Sequence, residues 1–533
     1  MKLISSVILI FITFSIYAQD GLGVKNVYKM KEADHKFYEK DYRAALNLYR
    51  QIMETTKSNA LLNFKVAKCH YELKSFDLAV EYYRNAKNID PEVKKEFYFE
   101  YGKALHKNGM VDEALEAYQE YRKVIKNKKK IIKKMDLEYY EAMCGRAKEL
   151  MASPVPVEII NLGREVNSRE DDYGPSISAD GKTMIFTSRR AATKGGGRDL
   201  QGDHKFYEDI YISEWDSENK MWKSAENIPG KLNTEGHDAA LCIGADGKVI
   251  YLYRNDGVVY IGDIFVSKIN SSGNWSTPKD LGKPINTSYF ESSASITSDG
   301  NRLYFVSEKP KGGFGQTDIY YSDRISRNVW SEPVNLGDSI NTPYDEVKVF
   351  IHPDGKTLFF SSDGHNSMGG YDIFMSKMRY DSTWSKPVNL GYPINTVVDD
   401  VHFILSTDKK TGYYSTFRKN GFGEKDIYKI DMTKYPIASL IDEKPTVIIK
   451  GKIQAEELED LLVQVYNEKE ERIAQTKTNE EGEYFLTIPE GEYIIRAGAA
   501  GYKVVSQKIS VYEDKGSDET TSHSFDFKLV KLE

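Results

Sequence analysis

One short sequence unit occurs five times between Asn167 and Tyr428, and it constrains the fold of this 533-residue chain more than any other feature. Each copy contains an aspartate followed by isoleucine and an aromatic residue, and successive copies lie 54, 55, 54 and 54 residues apart. The five motifs begin at Asp209, Asp263, Asp318, Asp372 and Asp426. A fixed period of this length predicts an array of equivalent structural units.

Two further landmarks repeat at nearly the same spacing. An asparagine followed by serine or threonine stands at Asn167, Asn233, Asn286, Asn341 and Asn395. A turn dipeptide, Asp-Gly in four copies and Asp-Lys in the fifth, begins at Asp180, Asp246, Asp299, Asp354 and Asp408. Short apolar runs separated by such turns are typical of the four-stranded blades of a β-propeller, which close radially because one blade cannot bury both of its faces.

The last copy lacks the outermost strand that the other copies contain. In the fourth copy this strand is residues 384–391, whereas the fifth copy continues into residues 432–436. Residues 156–163, upstream of the first copy, end in Asn-Leu-Gly as that strand does. An N-terminal strand that completes the last blade would close the ring and leave no exposed edge. We therefore predict a WD40-like propeller of five blades in residues 155–436, since six blades would require one without the motif.

Residues 1–18 predict a secretory signal peptide. Lys2 precedes an apolar run from Leu3 to Tyr17, and Ala18 stands before the polar Gln19. No cysteine follows the expected cleavage point, so an anchor of the bacterial lipoprotein type is not indicated. No other apolar stretch approaches 18 residues, and we expect an exported chain that is soluble or peripheral.

A second, shorter period precedes the five copies. Two alanines and a tyrosine recur after 34 residues, and after 35 more with glycine in place of the first alanine. The three sets are Ala33, Ala45, Tyr49; Ala67, Ala79, Tyr83; and Gly102, Ala114, Tyr118. Small residues at these points let paired helices approach closely. Residues 19–121 therefore resemble three tetratricopeptide repeats, and we predict a single lead-in helix across residues 122–154.

The chain changes character again in residues 437–533. Strands are predicted at 446–453, 462–466 and 491–496, bounded by glycine and asparagine turns. They predict a small antiparallel β-sandwich, which resembles the regulatory-like domain appended to carboxypeptidases. The predicted fold class is therefore multidomain, α followed by all-β.

The order of these parts resembles the envelope proteins of Bacteroidetes that accompany type IX secretion and gliding, including OmpA-family members. The Ile-Asn-Thr runs at Ile285, Ile340 and Ile394 are specific elements of the resemblance. Family members commonly carry a C-terminal OmpA-like domain that binds peptidoglycan, whereas this chain ends at Glu533 without one. We expect a periplasmic protein, peripherally associated with the outer membrane, that does not bind peptidoglycan directly.

Catalytic and metal sites are not indicated. One aspartate per copy could form a ring of metal ligands, but a repeated local hydrogen bond is the simpler interpretation. The loops at Asp203 and Asp363 lack the alternating oxygen ligands of a calcium site, and the nine histidines form no ligand pair on a helix. No Gly-x-Ser-x-Gly motif of a serine hydrolase occurs. We expect no enzyme activity, no cofactor and no metal.

The net charge of the chain and its cysteines exclude two further classes of protein. A net charge of −7 argues against a protein that binds nucleic acid. Cys69, Cys144 and Cys242 predict no obligatory disulfide framework, although a bond between the first two stays open. A run of lysines is interpreted as a solvated face or as a contact for an acidic surface: Lys123, Lys126, Lys128, Lys129, Lys130, Lys133 and Lys134.

These features favour a non-catalytic scaffold that binds envelope proteins, with outer-membrane proteins as further candidates. Tetratricopeptide arrays hold a peptide segment in the groove lined by the first helix of each pair. Repeat position predicts that eight residues face this groove: Phe37, Tyr38, Phe64, Lys65, Lys68, Tyr71, Lys103 and His106. Aromatic and cationic side chains suit a partly acidic peptide. Alternatively, several of them pack between the repeats.

A second hypothesis places the function in the propeller. Aromatic residues on its loops could stack on the sugars of a glycan or a peptidoglycan fragment, or they could fill the seams between blades. The candidates are Tyr289, Phe290, Phe314 and Phe422.

Overall fold

The computed structural model describes residues 23–532 except 57, 201, 256–260, 271, 310, 327, 437–443, 457–460 and 516–518. It divides into two compact units, one up to residue 152 with residues 199–205, the other of residues 153–198 and 206 onward. The predicted signal peptide lies outside the described residues. A helical part followed by an all-β part confirms the predicted class in outline.

The first unit contains eight helices within its described residues. They are α1 (Val24–Tyr38), α2 (Tyr42–Met53), α3 (Ala60–Glu72), α4 (Phe76–Ile89), α5 (Phe97–Lys107), α6 (Val111–Val124), α7 (Lys129–Lys134) and α8 (Leu137–Ala152). The side chains of Asp41 and Asn59 cap α2 and α3 by accepting hydrogen bonds from backbone amides of the first turn. No helix among the described residues is both long and apolar enough to cross a membrane.

The repeated small residues and tyrosines form the contacts between paired helices. Helices α1 to α6 pack as three consecutive pairs. Tyr49, Tyr83 and Tyr118 are fully buried. In the third pair, a Cβ added to Gly102 would lie 2.6 Å from Cε1 of Tyr118. Glycine replaces the alanine of the other repeats there because α5 and α6 approach so closely that no side chain fits.

The single lead-in helix predicted for residues 122–154 is not what the chain forms. Helix α6 ends at Val124, and two further helices follow it. The breaks coincide with positive φ angles of 52° at Lys126, 53° at Asn127 and 49° at Asp136. A residue in the left-handed conformation cannot continue a right-handed helix, so the chain turns at each of these positions.

Five antiparallel sheets follow one another along residues 158–431, which we call the five-sheet ring. Strand β1 (Glu158–Asn161) precedes the first sheet, which contains β2 (Asp172–Ile177), β3 (Thr183–Ser188), β4 (Asp209–Asp216), β5 (Met221–Trp222) and β6 (Glu226–Asn227). The second contains β7 (His237–Ile243), β8 (Val249–Asn255), β9 (Ile261–Lys268) and β10 (Lys279–Asp280).

The remaining three sheets repeat this order. The third contains β11 (Glu291–Ile296), β12 (Arg302–Ser307), β13 (Asp318–Ser326), β14 (Val329–Trp330) and β15 (Val334–Asn335). The fourth contains β16 (Glu346–Ile351), β17 (Thr357–Ser362), β18 (Asp372–Lys377) and β19 (Val388–Asn389). The fifth contains β20 (Asp400–Leu405), β21 (Thr411–Thr416) and β22 (Asp426–Asp431), with β1 as its outer strand.

The first and last parts of the ring are joined through β1. It pairs antiparallel with β22 in a register that runs from Glu158 opposite Asp431 to Asn161 opposite Tyr428. The first strands of neighbouring sheets also contact one another in the cycle β2, β7, β11, β16, β20 and back to β2. Apolar cores lie between neighbouring sheets, as where the rings of Phe359 and Phe403 pack with centroids 4.9 Å apart. This closed cycle is compatible with the predicted propeller.

Two further sheets, which we call the terminal sheets, complete the second unit. Their strands are β23 (Thr446–Gln454), β24 (Leu462–Tyr466), β25 (Arg472–Lys477), β26 (Glu483–Pro489), β27 (Gly491–Gly498), β28 (Val505–Val511), β29 (Ser522–Ser524) and β30 (Phe527–Lys528). One sheet has the order β26-β23-β29 with β30 beside β23, and the other has the order β25-β24-β27-β28. Both contribute to one apolar core that includes Ile449, Val463 and Ile495.

The terminal sheets contact the turn after the first strand in every sheet of the ring. Three contacts are ion pairs, Lys182–Glu519 at 3.0 Å, Lys410–Glu513 at 2.8 Å and Lys248–Glu483. In the other two, the hydroxyl of Thr487 lies 2.7 Å from Oγ of Ser298 and 2.6 Å from the carbonyl oxygen of Pro353. The terminal sheets therefore cover one end of the cycle of first strands.

Candidate functional site

The first helices of the three pairs carry a row of alternating charged and aromatic side chains. Lys65 Nζ lies 2.6 Å from Oδ1 of Asp34, and Lys68 Nζ lies 5.5 Å from the ring centroid of Phe37. Lys103 Nζ lies 5.2 Å from the ring centroid of Tyr71. We call this row the inter-repeat strip: Asp34, Phe37, Lys65, Lys68, Tyr71 and Lys103. Its contacts run from α1 to α3 and from α3 to α5.

The three lysines of the strip differ in their counter-charges. Lys65 pairs with Asp34, and Lys103 pairs with Glu100 at 2.9 Å. Lys68 has no carboxylate partner among the described residues, and its Nζ lies over the rings of Phe37 and Phe64 instead. A cation held over aromatic faces keeps its charge for a further anionic partner. Lys68 is therefore the residue of the strip most suited to an acidic ligand.

Five of the eight residues predicted for the groove lie on this strip, and three do not. Phe64 and His106 are 4% and 1% exposed, so their side chains pack inside the repeats. Phe64 contacts the ring of Tyr83, and His106 Nδ1 lies 3.3 Å from Sγ of Cys144. Tyr38 is 86% exposed at the end of α1. Phe64 therefore packs between helices of the repeats and His106 packs against α8, so neither side chain is open to a peptide.

Sequence reasoning missed the acidic members of this surface, Asp34 and Glu100. Asp34 and Lys65 are 31 residues apart, one repeat period less about one helical turn. That spacing places the two side chains at the same level on neighbouring first helices. Opposite charges at this spacing stabilise the contact between repeats, so the spacing could have predicted the ion pair from the sequence.

The three cysteines are buried and unpaired. Burial raises the pKa of Cys69, Cys144 and Cys242 to about 12 in each case. A thiol needs its thiolate form to act as a nucleophile, so these three are inert at neutral pH.

The repeated aspartates hold loops and outer strands in place. Asp372 accepts hydrogen bonds from the backbone amide of Met368 at 2.8 Å and from the side-chain amide of Asn389 at 2.7 Å. Asp209, Asp318 and Asp426 accept the same two kinds of hydrogen bond, one from a backbone amide of the preceding loop and one from an asparagine on the outer strand of the sheet, which for Asp426 is Asn161 of β1. The repeated motif is thereby explained as a local hydrogen-bonded support. Among the described residues, no group of three or more His, Cys, Asp or Glu is arranged to hold a metal.

The repeated asparagines complete this support. The side chain of Asn395 accepts from the backbone N–H of Ile373 at 2.7 Å and donates to its carbonyl at 2.8 Å. Asn167, Asn233, Asn286 and Asn341 make the same pair of bonds with the isoleucine of a motif. The side-chain amide of each asparagine thus pairs with the backbone of the isoleucine as a residue of a neighbouring strand would. This pairing explains why the position of the asparagine in the repeat is fixed.

The lysine run of the sequence lies on the surface, since all seven lysines between Lys123 and Lys134 are exposed.

The loop between β3 and β4 of the first sheet is glycine-rich, with three glycines at Gly195–Gly197. It begins as a fixed segment, since Lys194 donates its backbone N–H to Asp209 and its Nζ to the carbonyl of Asn233. A Cβ added to Gly195 would lie 2.6 Å from the ring of Tyr207, so this glycine is required by packing.

A comparison with protein families matches part of the helical unit. The family model described as tetratricopeptide repeat matches residues 30–94. A comparison with curated proteins gave no match.

Solved structures that resemble the helical part have low sequence identity. The second tetratricopeptide domain of human RPAP3 in complex with an HSP70 peptide is 18% identical, covers 20% of this chain and 89% of its own, and has a TM-score of 0.19. The Yersinia enterocolitica type III secretion chaperone SycD in complex with a peptide of the translocator YopD is 16% identical, covers 23% and 92%, and has a TM-score of 0.21. The Sgt2 tetratricopeptide domain of Aspergillus fumigatus is 17% identical, covers 24% and 83%, and also has a TM-score of 0.21.

Proposed function

We propose that this protein is a non-catalytic periplasmic scaffold at the outer membrane, and that it binds a partly acidic peptide segment of an envelope protein along the inter-repeat strip. The observation that carries the proposal is the position of Lys68. Its charge lies over Phe37 and Phe64 at the junction of two repeats. An acidic side chain of the peptide would pair with this cation, while the peptide's apolar groups pack on Phe37 and Tyr71.

The β part is proposed to be a five-bladed propeller of the WD40-like kind in residues 155–436, followed by a carboxypeptidase-regulatory-like sandwich in residues 437–533. Five consecutive sheets, their closed cycle of first strands and the β1–β22 pairing support the blade count. The common core of the terminal sheets supports the sandwich. In this proposal the propeller is a rigid platform rather than a site of chemistry.

The cellular setting is proposed from the sequence. The N-terminal signal-like segment supports export, and the order of the parts supports a role among the type IX secretion or gliding proteins of Bacteroidetes. Attachment to the outer membrane would then be made by protein contacts. The exposed lysine run would add only a weak, salt-sensitive attraction to anionic surfaces, about 1 kcal/mol per lysine near the membrane.

A charge-reversal experiment tests the peptide-binding role. Full-length Lys68→Glu and the matched Lys95→Glu, which changes an exposed lysine outside the strip, would each be used to recover partners from envelope extracts. We expect recovery of the main partner to fall at least tenfold for Lys68→Glu and to stay near wild type for Lys95→Glu. Equal recovery with both variants would contradict the proposal.

The second candidate function, glycan or peptidoglycan-fragment binding, is favoured by three aromatic residues on loops of the five-sheet ring. Tyr289, Phe314 and Phe422 are 45%, 47% and 39% exposed. Phe290 is only half-buried but packs on Tyr253, so it suits a seam better than a sugar. Calorimetry of the full chain with muropeptides separates the two functions. Saturable heat that Phe422→Ala abolishes would support glycan binding, and no heat would exclude it.

A further inference from the structure

The first strands of the five-sheet ring surround a cavity of about 30 Å³. Seven residues after each repeated asparagine, the five copies carry Gly174, Ala240, Ser293, Lys348 and His402. Four of these five residues line the cavity. Three copies therefore have a small residue at this position. The other two have a residue with a side-chain nitrogen, Lys348 on β16 and His402 on the neighbouring β20. The cavity has room on one side and polar donors on the other.

Lys348 is a cation without a direct ion-pair partner. It is half-buried in the cavity wall, and within the described part of the chain its side chain forms neither a hydrogen bond nor an ion pair. Burial and, to a smaller extent, the positive charge of Lys425 lower its pKa to about 8, against a smaller opposing effect of Glu208. The group is still mainly protonated at neutral pH, so the fold keeps a partly buried positive charge uncompensated, which is costly unless an anion joins it.

His402 is held beside Lys348 in an unusual backbone conformation. Its φ is +59°, and the equivalent Gly174 has a φ of +67°. Such a value strains a histidine but not a glycine. Its Nδ1 lies 3.2 Å from Oγ of Ser415, and its Nε2 lies 3.7 Å from the point that a Cβ on Gly174 would occupy. The imidazole therefore packs beside Gly174.

The titratable groups around this pair are mostly positive or already paired. Burial, together with Lys348 and Lys425, lowers the pKa of His402 well below its ordinary value, so the ring is neutral. Lys425 Nζ lies 5.7 Å from the ring centroid of Tyr173, whose ring packs on His402.

Glu208, the carboxylate that acts electrostatically on Lys348, is engaged elsewhere. It accepts a hydrogen bond from the Tyr173 hydroxyl and lies 3.1 Å from Nδ1 of His237. Burial alone would raise the pKa of Glu208, but His237 and Arg189 outweigh this and lower it to about 2. Glu208 therefore acts on Lys348 only at a distance, as a weak attraction, and forms no ion pair with it among the described residues.

We propose that this cavity binds a single carboxylate group, with Lys348 as its counter-ion and the neutral imidazole of His402 as a hydrogen-bond donor. A cavity of about 30 Å³ corresponds to roughly two water-sized spheres, each of about 10–15 Å³, which suits the two oxygens of a carboxylate better than the four of phosphate or sulfate. The carboxylate belongs either to a free small acid or to a peptide. This site is independent of the scaffold role and of the inter-repeat strip.

The test measures thermal unfolding of the full chain in sodium acetate against sodium chloride of equal ionic strength. Wild type, Lys348→Met and the matched Lys356→Met, which changes an exposed lysine of the same sheet, would be compared. Acetate is expected to raise the Tm of wild type and Lys356→Met in a saturable manner, and to act at least tenfold more weakly on Lys348→Met. Without acetate, Lys348→Met should be at least as stable as wild type, because the uncompensated charge is gone. An equal response of all three proteins would overturn the proposal.

A second measurement keeps the proposal testable without a variant. Acetate should shift the nitrogen resonances of the His402 imidazole in wild type, and an unchanged spectrum at saturating acetate would overturn the proposal.

Glycylglycine and its amide then distinguish the sources of the carboxylate. A response to acetate alone supports a free small acid, and a response to glycylglycine but not to its amide supports a peptide terminus. Equal responses to the acid and the amide would contradict carboxylate binding.

Discussion

Asn161 donates its side-chain amide to the carboxylate of Asp426 at 2.7 Å, across 265 residues of sequence. Its own oxygen accepts from the backbone of Gly163 at 2.8 Å and from Asn167 at 2.9 Å. Within single sheets, Asn335 and Asn389 hold Asp318 and Asp372 in the same way. Strand β1 therefore takes the place of an outer strand that the fifth sheet would otherwise lack.

Removing this strand should open the ring. Deletion of residues 155–163 is expected to cause aggregation, because the edge of β22 would be exposed for pairing with other chains. The milder Asn161→Ala should lower the free energy of unfolding by about 1–3 kcal/mol, since it leaves buried polar groups without partners. Thermal denaturation and size-exclusion chromatography measure both effects, with Asn301→Ala in an exposed turn as the control. A monomeric deletion variant with an unchanged Tm would show that β1 does not close the ring.

The repeated aspartates should behave as structural groups. Asp372→Ala leaves the amide of Met368 and the side chain of Asn389 without an acceptor, and we expect a loss of about 2–4 kcal/mol in the free energy of unfolding. Asp381→Ala, in an exposed turn of the same sheet, should leave the free energy of unfolding close to that of wild type. Chemical denaturation measures both. A wild-type Tm that falls on addition of a chelator would instead favour a metal role for the aspartates.

The repeat period and the offset of β1 were predictable because they rest on local chemistry. Each copy repeats the same turn dipeptide, the same alternating strands and an asparagine at a fixed distance from an isoleucine. An ambiguous assignment in one copy can therefore be decided from the other copies. The residues of the cavity could not be found in this way. Lys348 and His402 lie in two different copies at a position where the other three carry small residues, and their meeting depends on how neighbouring first strands pack.

The helical part shows a similar limit. The spacing of small residues and tyrosines located the helix pairs, but repeat position alone placed Phe64 and His106 in the groove although both are buried. Which side of a helix is open depends on the helices that pack on it. The division of the predicted lead-in helix was also missed. The lysines and isoleucines around the breaks favour a helix, and the two helix-end residues Asn127 and Asp136 are too weak a signal by themselves to mark the breaks.

Stability should depend on pH through Glu346, which is fully buried on β16. Burial raises its pKa to about 8, although Thr342 and Ser362 donate hydrogen bonds to it. In the unfolded chain its pKa is about 4.3, so the folded state holds an extra proton between these values. The stabilisation is therefore complete below about pH 4 and is lost as the pH rises towards 8.

The variant Glu346→Gln isolates this contribution. Between pH 5 and pH 8, wild type should lose on the order of 3–4 kcal/mol more stability than Glu346→Gln. Asp400, whose pKa burial raises to about 6, contributes in the same direction to both proteins and cancels in the difference. Denaturant titrations at the two pH values give the result, and parallel pH dependence in both proteins would show that Glu346 does not titrate in this range.

The terminal sheets should stabilise the five-sheet ring through Thr487. The variant Thr487→Val removes the hydroxyl that contacts Ser298 and Pro353, and we expect a cost of about 1–2 kcal/mol. Thr476→Val is the matched control, since Thr476 is similarly buried and its hydroxyl bonds only within the terminal sheets. Differential scanning calorimetry compares them, and an equal loss in both variants would mean that the contact with the ring contributes nothing specific.

The central claim, that a peptide segment of an envelope protein lies along the inter-repeat strip, is tested most directly by site-specific photo-crosslinking in cells. A photoreactive phenylalanine analogue would replace Tyr71 on the strip or, as a matched control, Tyr98, which is also half-buried but lies outside the strip. We predict a discrete crosslinked partner from position 71 that is absent from position 98 and is lost when Lys68→Glu is added. The same crosslinks from both positions, or a position-71 crosslink unaffected by Lys68→Glu, would contradict the claim.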